Sequence, residues 1–395
     1  WKIPIIATYS TTSHAGHEYF WAVDGDARFI KENLCLLEDS VALGRLFDID
    51  VIQTDGMKIS RTDLGFSTRK CLICNQEAFV CSRARTHSVK ELLEQECQIM
   101  TNYFAKQHAR KLSSLSMQAL LYEVSVTPKP GLVDRNNTGA HQDMDIFTFE
   151  ASAVSLNHYF EQFALCGIEN GHEPFSRIFS RLRSLGIQAE ETMFRATNQV
   201  NTHKGLIFSL AIMNGALGYM YANHIPYSPD ALLKINRNLV ADVLEDFNDV
   251  TVENARTNGE RLYALYGMKG ARGEALSGCH TVLKKALPVL KHQLDRGLSL
   301  NDAGAVTLLY IIAHSEDTNI VNRSSYHSMK KIQALLRETL NDPEFINKDP
   351  IPYIESLDRE FIKNNISPGG SADLLALTFF LYLFERSEEH TSELQ

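Results

Sequence analysis

Residues 127–145 read TPKPGLVDRNNTGAHQDMD, and the fold of the longer part of the chain turns on them. The stretch lies between two segments with helical periodicity, 112–124 and 145–165, so it must be the break between two helices. Pro128 and Pro130 fix φ and keep their neighbours extended, while Gly131 and Gly139 permit turns that other residues resist. A stiff loop is expected. It carries Lys129, Asp134, Arg135, His141, Asp143 and Asp145, which can offer cations to phosphate and carboxylates to a divalent metal. A solvated, turn-rich connection is the plainer alternative.

Toward the C-terminus nearly everything reads as helix. Ile146, Phe149, Ala153 and Phe160 recur near helical spacing after the loop, and the apolar run 205–222, with Asn214 and several glycines, reads as a buried core helix. Ser228-Pro229 is an N-cap followed by a first-turn proline, with Leu232, Ile235, Leu239, Val243 and Phe247 on the buried face. Further helices are expected at 273–296, 301–314, 326–341, 352–364 and 371–385, with no alternating strands and no internal repeat. Polar motifs punctuate them: NTHKG at 201–205, TNGER at 257–261, GARGE at 270–274, and DTN at 317–319 with Arg323, read as closing an apolar helix. Each alone fits capping chemistry. Their number suggests helix ends converging on one polyanionic ligand.

The first hundred residues differ. The runs 2–9 and 18–23 are β-leaning, and 26–38 reads as a helix with Phe29, Ile30, Leu34 and Leu37 on one side. Phe47, Ile49 and Val51 alternate with Asp48 and Asp50, so a strand would set both carboxylates on one face, where Mg²⁺ relieves their repulsion. Asp55-Gly56 then supplies a hairpin turn. With Gly44 and Arg45 just upstream, the pattern suggests nucleotidyl transfer, an exposed polar strand face being the alternative. Cys71, Cys74, Cys81 and His87 could hold a structural Zn²⁺ or be packed, reduced thiols, and Arg69, Lys70, Arg83, Arg85 and His87 could grip a phosphate chain.

The 395 residues allow two or three domains, and 44% hydrophobic with 22% charged residues is the composition of a soluble globular chain with sizeable cores. The net charge of −9 argues against nucleic acid or an anionic membrane as partner. Seven cysteines and no signal peptide point to reduced thiols in the cytoplasm. Trp1 is not an initiator, so residues are expected upstream, and RSEEHTSELQ at 386–395 reads as an adapter-derived artefact to be set apart from the fold.

Two family resemblances organise these motifs. GRLFDIDVI, ISR, RKCLIC and RTH, between residues 44 and 87, are similar to apo-citrate lyase phosphoribosyl-dephospho-CoA transferase. That resemblance covers roughly 3–97 and implies transfer of a prosthetic group to the acyl carrier subunit of citrate lyase with release of pyrophosphate. Asp48 and Asp50 would hold the metal, and Arg45 would contact phosphate. From 112 to 385, TPKPGLVDRNNTGAHQDMD, NTHKG, TNGERLY, YGMKGARGEA, DTN and SPGGSADLLA closely resemble triphosphoribosyl-dephospho-CoA synthase, in family order. This implies an all-α domain using ATP and 3′-dephospho-CoA, in which a ribose 2′-hydroxyl attacks the anomeric carbon of ATP and adenine leaves. Together they imply a bifunctional citrate lyase maturation protein.

The expected architecture is therefore two domains. A truncated α+β nucleotidyltransferase-like domain at 1–97 precedes a larger all-α domain at 98–385. In the second domain Asp143, Asp145 and Asp317 are expected to hold Mg²⁺ on the triphosphate, with Lys129, Arg135, Lys204, Arg272, Asn319 and Arg323 contacting substrate and His141 or Glu150 as base. Two other readings stay open: an all-α metal-dependent hydrolase of a phosphorylated nucleoside, and a carrier-protein docking module with an inactive first domain.

Overall fold

The computed structural model describes residues 3–14 and 16–393; Trp1, the first residue of the strand expected at 2–9, and the last two residues of 386–395 lie outside that description. The chain is predominantly helical and divides into two compact units, 1–106 and 107–395. The division falls within one helix, Val89–Ser125.

In the first unit, Ile5–Ser13 and Gly16–Val23 pair antiparallel, from Ser13 opposite Gly16 to Ile5 opposite Val23. Asp26 caps the helix Ala27–Ser40 by accepting the Phe29 N–H at 2.7 Å. Of the apolar face expected, Ile30 is buried and Leu34 and Leu37 are half-buried, but the most buried side also carries charge. Ile30, Lys31, Cys35 and Glu38 are buried, while Phe29 is exposed. The cause is ionic: Glu38 holds Arg61 at 2.7 Å and Arg69 at 2.9 Å, and Lys31 donates to the Ile49 carbonyl at 2.7 Å, so the helix anchors the polar segment that follows it.

The strand expected through Phe47, Ile49 and Val51 shrinks for the same reason. Gly44–Leu46 is a 3-10 turn, 47–50 is irregular, and only Val51–Ile52 pairs, with Lys58–Ile59. Arg69 donates to the Phe47 carbonyl and Lys31 to that of Ile49, taking acceptors that a ladder would need. Asp48 and Asp50 therefore stand on an irregular segment, not on one strand face. The Asp55-Gly56 turn is present, with Gly56 at φ +87°.

The second unit is helical throughout its described elements. Its centre is Lys204–Ala222, long and apolar enough to cross a membrane, with 72% of that stretch buried inside the protein. Ile146–Glu169 lies so close that a Cβ on Gly167 would come within 2.0 Å of the Gly215 carbonyl oxygen, and one on Gly218 within 2.2 Å of that of Ala164. Small residues at this seam let the backbones meet. Phe175–Ala196 packs on both helices, while Leu300–His314 and Gly369–Glu393 contribute Leu308, Ile312, Leu375 and Phe379 to the same core.

Three helix expectations change. The segment 273–296 is broken into Gly270–Leu276, a π-helical turn Val282–Ala286, and Leu287–Asp295. Gly278 at φ +81° and Cys279 at φ +62° make the first break, and Pro288, which has no N–H to donate, follows the π turn. Pro229–Leu239 is capped by Ser228 as expected but stops at Leu239; Val243 and Phe247 remain buried from an irregular continuation. Asp317 does not end a helix. It is the N-cap of Thr318–Arg323.

The loop at 127–145 is solvated only in its second half, where Arg135, Asn136, Thr138, Gln142, Asp143 and Asp145 are exposed. Residues 126–134 are buried, and Asp134 organises the turn by accepting the N–H groups of Lys129 at 3.0 Å, Asn136 at 2.7 Å and Asn137 at 3.0 Å. Gly131, at φ +69°, passes so near the chain at Ile366 that a Cβ would stand 2.0 Å from its carbonyl oxygen. From the far side, Asp358 accepts Gly131 N–H at 2.9 Å and Asn137 Nδ2 at 3.0 Å.

Candidate active site

The loop, the NTHKG turn, the chain at 269–274, the segment 314–319 with Arg323, and the SPGGSAD turn close around one cavity of about 500 Å³. That size suits a nucleotide-sized ligand. Of the residues expected at a site, Lys129, His141, Lys204, Asn319 and Arg323 line it. Lys129 is 2% exposed and holds Glu123 at 2.5 Å, a buried pair in which burial pushes the Glu123 carboxyl up against the pull of the lysine. Lys204 pairs with Glu190 at 2.9 Å. Arg323 donates to the Ala140 carbonyl at 2.7 Å and to Asn365 at 3.0 Å, and lies 3.1 Å from His141 Nδ1. His141 Nε2 meets Ser367 Oγ at 2.8 Å. Burial, reinforced by the Arg323 charge, holds the His141 imidazole below its ordinary pKa.

The other expected residues have different employment. Asp145 caps Ile146–Glu169 in a reciprocal box with Thr148, whose hydrogen bonds keep its carboxyl below the usual range. Asp143 is exposed, 3.9 Å from His141 Nδ1, and Glu150 is half-buried one turn along the helix, off the cavity lining. Arg135 is drawn to Thr127 Oγ1 at 3.2 Å and Asn301 Oδ1 at 2.9 Å. Arg272 stacks over the Phe247 ring at 4.5 Å. Asp317 is buried, with one oxygen accepting the Asn319 and Ile320 N–H groups at 2.9 and 3.2 Å and the other accepting Ser371 N–H and Oγ–H at 2.7 and 2.8 Å.

The cavity also contains groups the motifs did not single out. His203 is buried, with Nδ1 2.7 Å from Ser152 Oγ, and Thr202 Oγ1 donates to that same oxygen at 2.7 Å. Nε2 has no hydrogen-bond partner among the described residues, and burial, with Lys129 adding to it, lowers the His203 pKa to about 3. Asp373 faces the cavity from the Gly369–Glu393 helix, and a Cβ on Gly205 would stand 2.4 Å from its Oδ2. Burial, with Glu123 and Asp317 nearby, raises the Asp373 carboxyl well above its ordinary pKa. Lys269, Glu274 and Glu316 complete the charged lining. His203, Lys269 and Asp373 stand inside the quoted motif strings, whereas nothing local marks Glu123.

In the first unit, Asp50 pairs with Lys58 at 2.5 Å, and Asp48, 91% exposed, lies 3.7 Å from Arg69 Nη1. Each carboxylate is thus answered by a side-chain cation. Arg45 donates to the Lys70 carbonyl and lines a small cleft of about 90 Å³ with Arg61, Arg69 and Lys70. The ligand atoms of Cys71, Cys74, Cys81 and His87 all lie within 4.8 Å of one another. The N–H groups of Cys74 and Ile73 lower the Cys71 thiol to about 6, and the buried His87 Nε2 has no hydrogen-bond partner among the described residues.

A helical cavity with Lys129, Lys204, Lys269 and Arg323 around carboxylates has the charge and the size to hold a phosphate-rich ligand. The chain matches the ATP:dephospho-CoA triphosphoribosyl transferase family over residues 109–392 and the apo-citrate lyase phosphoribosyl-dephospho-CoA transferase family over residues 1–103. It is 36% identical to the protein CitXG of Haemophilus influenzae over 93% of this chain and 80% of that protein, and to CitXG of Leuconostoc mesenteroides at the same identity and shares. It is 37% identical to the 2-(5''-triphosphoribosyl)-3'-dephosphocoenzyme-A synthase of Haemophilus ducreyi over 78% of this chain and 98% of that protein. The chain belongs to the CitXG family, and is a fused transferase of citrate lyase prosthetic-group formation.

Proposed function

We propose that the cavity of the second unit binds ATP and 3′-dephospho-CoA and joins them to form 2′-(5″-triphosphoribosyl)-3′-dephospho-CoA, releasing adenine. The observation that carries this reading is the convergence of motifs far apart in sequence on one cavity, with Lys129, Lys204, Lys269 and Arg323 placed to meet a triphosphate and buried carboxylates placed to meet a cationic transition state. Asn319 would orient the substrate. Asp143, 3.9 Å from His141, and Asp145 would hold Mg²⁺, which neutralises triphosphate charge when bound. Asp317 would fix the wall of the site through its four hydrogen bonds, and Arg135 and Arg272 would shape it from behind.

For the first unit the proposal is transfer of that product to the acyl carrier subunit of citrate lyase, with release of pyrophosphate, by an α+β nucleotidyltransferase-like fold. Asp48 and Asp50 would turn from Arg69 and Lys58 toward a metal, with Arg45 on phosphate. Cys71, Cys74, Cys81 and His87 would hold a structural Zn²⁺, their proximity and the partnerless imidazole nitrogen suiting a closed four-ligand site. A cytoplasmic setting fits reduced thiols and ATP as substrate.

The test is adenine release by the purified chain with ATP and Mg²⁺, with and without 3′-dephospho-CoA. Release that requires 3′-dephospho-CoA supports the synthase. Release without it would replace this reading by nucleoside hydrolysis, and no release in either condition would remove it.

A further inference from the structure

Four carboxylates line the cavity, and three are engaged. Glu123 holds Lys129 at 2.5 Å, Glu274 accepts the Thr281 N–H at 2.7 Å, and Glu316 accepts the Lys269 N–H at 3.0 Å. Asp373 alone of the four makes no hydrogen bond among the described residues. The imidazole of His141 has both nitrogens in contact, with Ser367 at 2.8 Å and Arg323 at 3.1 Å, and the neutral His203 uses Nδ1 on Ser152 at 2.7 Å.

We infer that Asp373 is the general base of adenine displacement, receiving the proton of the attacking ribose hydroxyl; this rests on the synthase reading of the cavity. The hydroxyl oxygen forms a bond to the anomeric carbon of ATP as the bond from that carbon to adenine breaks. The electron pair of the broken bond leaves on the adenine nitrogen, which takes up one proton, and the hydroxyl proton passes to the Asp373 carboxylate and from there to solvent, so charge and protons balance. A base must be free to accept at the moment of attack, and Asp373 has no bond to give up.

Its surroundings serve that task in opposite senses. Gly205 leaves room for the carboxylate at the N-terminus of Lys204–Ala222, where a negative charge is favoured. Burial opposes ionisation, and the nearby Glu123 and Asp317 add to that opposition. A carboxylate balanced this way is a stronger base than an exposed aspartate.

Wild-type adenine release that requires 3′-dephospho-CoA establishes the reading on which the inference depends, so the two fail separately. Given it, Asp373→Asn should lower kcat about 100-fold or more, the range a positioned base contributes. Affinity for ATP, measured by calorimetry, should change by less than about threefold, since general-base loss leaves ground-state binding in place. A variant retaining more than a tenth of wild-type kcat, or one whose ATP affinity falls as far as its rate, would overturn the assignment. Should Asp373→Asn not fold, the wild-type profile decides: with saturating Mg²⁺ and ATP, log kcat must fall with unit slope as pH drops, along a limb centred above the ordinary carboxylate range, and a flat profile from about pH 5 to 8 would refute the base.

Discussion

The ammonium of Lys129 lies 2.5 Å from the carboxylate of Glu123, with the two side chains 2% and 4% exposed. The loop therefore delivers its lysine to the end of the preceding helix, Val89–Ser125, at the inner wall of the cavity. A pair so buried contributes little net stability but is costly to break, because the remaining charge has no solvent.

Replacing Lys129 with Met should accordingly destabilise the chain by about 3 kcal/mol or more, and the double variant Lys129→Met with Glu123→Leu should recover most of that loss. Urea unfolding followed by helix circular dichroism measures both. Equal destabilisation in the single and double variants would mean that the pair is not what holds the loop.

His203 links pH to stability. Its folded pKa of about 3 lies below the ordinary histidine value near 6.5, so between these limits the unfolded chain binds the proton and the folded chain does not. Stability from this group is complete above about pH 6.5 and drains away as pH falls toward 3, by an amount on the order of a few kcal/mol. His203→Gln should flatten that slope in unfolding free energies measured from pH 7 to 4, and an unchanged slope would place the dependence elsewhere.

Asp143→Asn with Asp145→Asn tests the proposed metal ligands. Asparagine caps a helix about as well as aspartate, and Asp143 is exposed, so the double variant should keep the wild-type melting temperature within a few degrees. Adenine release should fall by at least about 100-fold, as loss of a charge-neutralising ion implies. Persistent turnover in the folded variant would sink the assignment.

Gly205→Ala tests the geometry around Asp373. The new methyl carbon would fall 2.4 Å from Oδ2, so the carboxylate must turn aside. Alanine is otherwise well suited to a helix, so the expected result is a folded protein with at least about tenfold lower kcat for adenine release. Undiminished activity would show that the position of Asp373 is not critical.

The first unit should bind one zinc per chain, and Cys71→Ser with Cys81→Ser should abolish it, as read by elemental analysis of protein purified without chelators. With metal withheld, iodoacetamide should label Cys71 faster than Cys97 at pH 7, since the N–H groups of Cys74 and Ile73 lower the Cys71 thiol to about 6. No metal and equal labelling would leave the cluster as packed thiols.

Much of the scaffold was legible locally. The apolar run at 205–222 read as a core helix, Ser228 announced its cap, and Asp55-Gly56 announced its turn, because helix burial, capping and tight turns depend on neighbours a few residues apart, whereas Asp145, expected as a metal ligand, proved to be a cap. The motifs also carried the family resemblance, and with it the chemistry of the cavity. What each polar residue does within that cavity was not legible. Arg135 turned to Asn301, 166 positions away, Asp317 to Ser371, 54 away, and Arg323 to His141, 182 away. The strand through Asp48 and Asp50 dissolved because Lys31 and Arg69 claimed its carbonyls. The sequence by itself determined that the longer part is helical, that 205–222 is a buried helix and which chemical groups are present. Only the tertiary structure decided which charges are neutralised in pairs and that Asp373, of the four carboxylates lining the cavity among the described residues, has no partner, since hydrogen bonds and ion pairs in a buried site are settled by contacts that no local periodicity encodes.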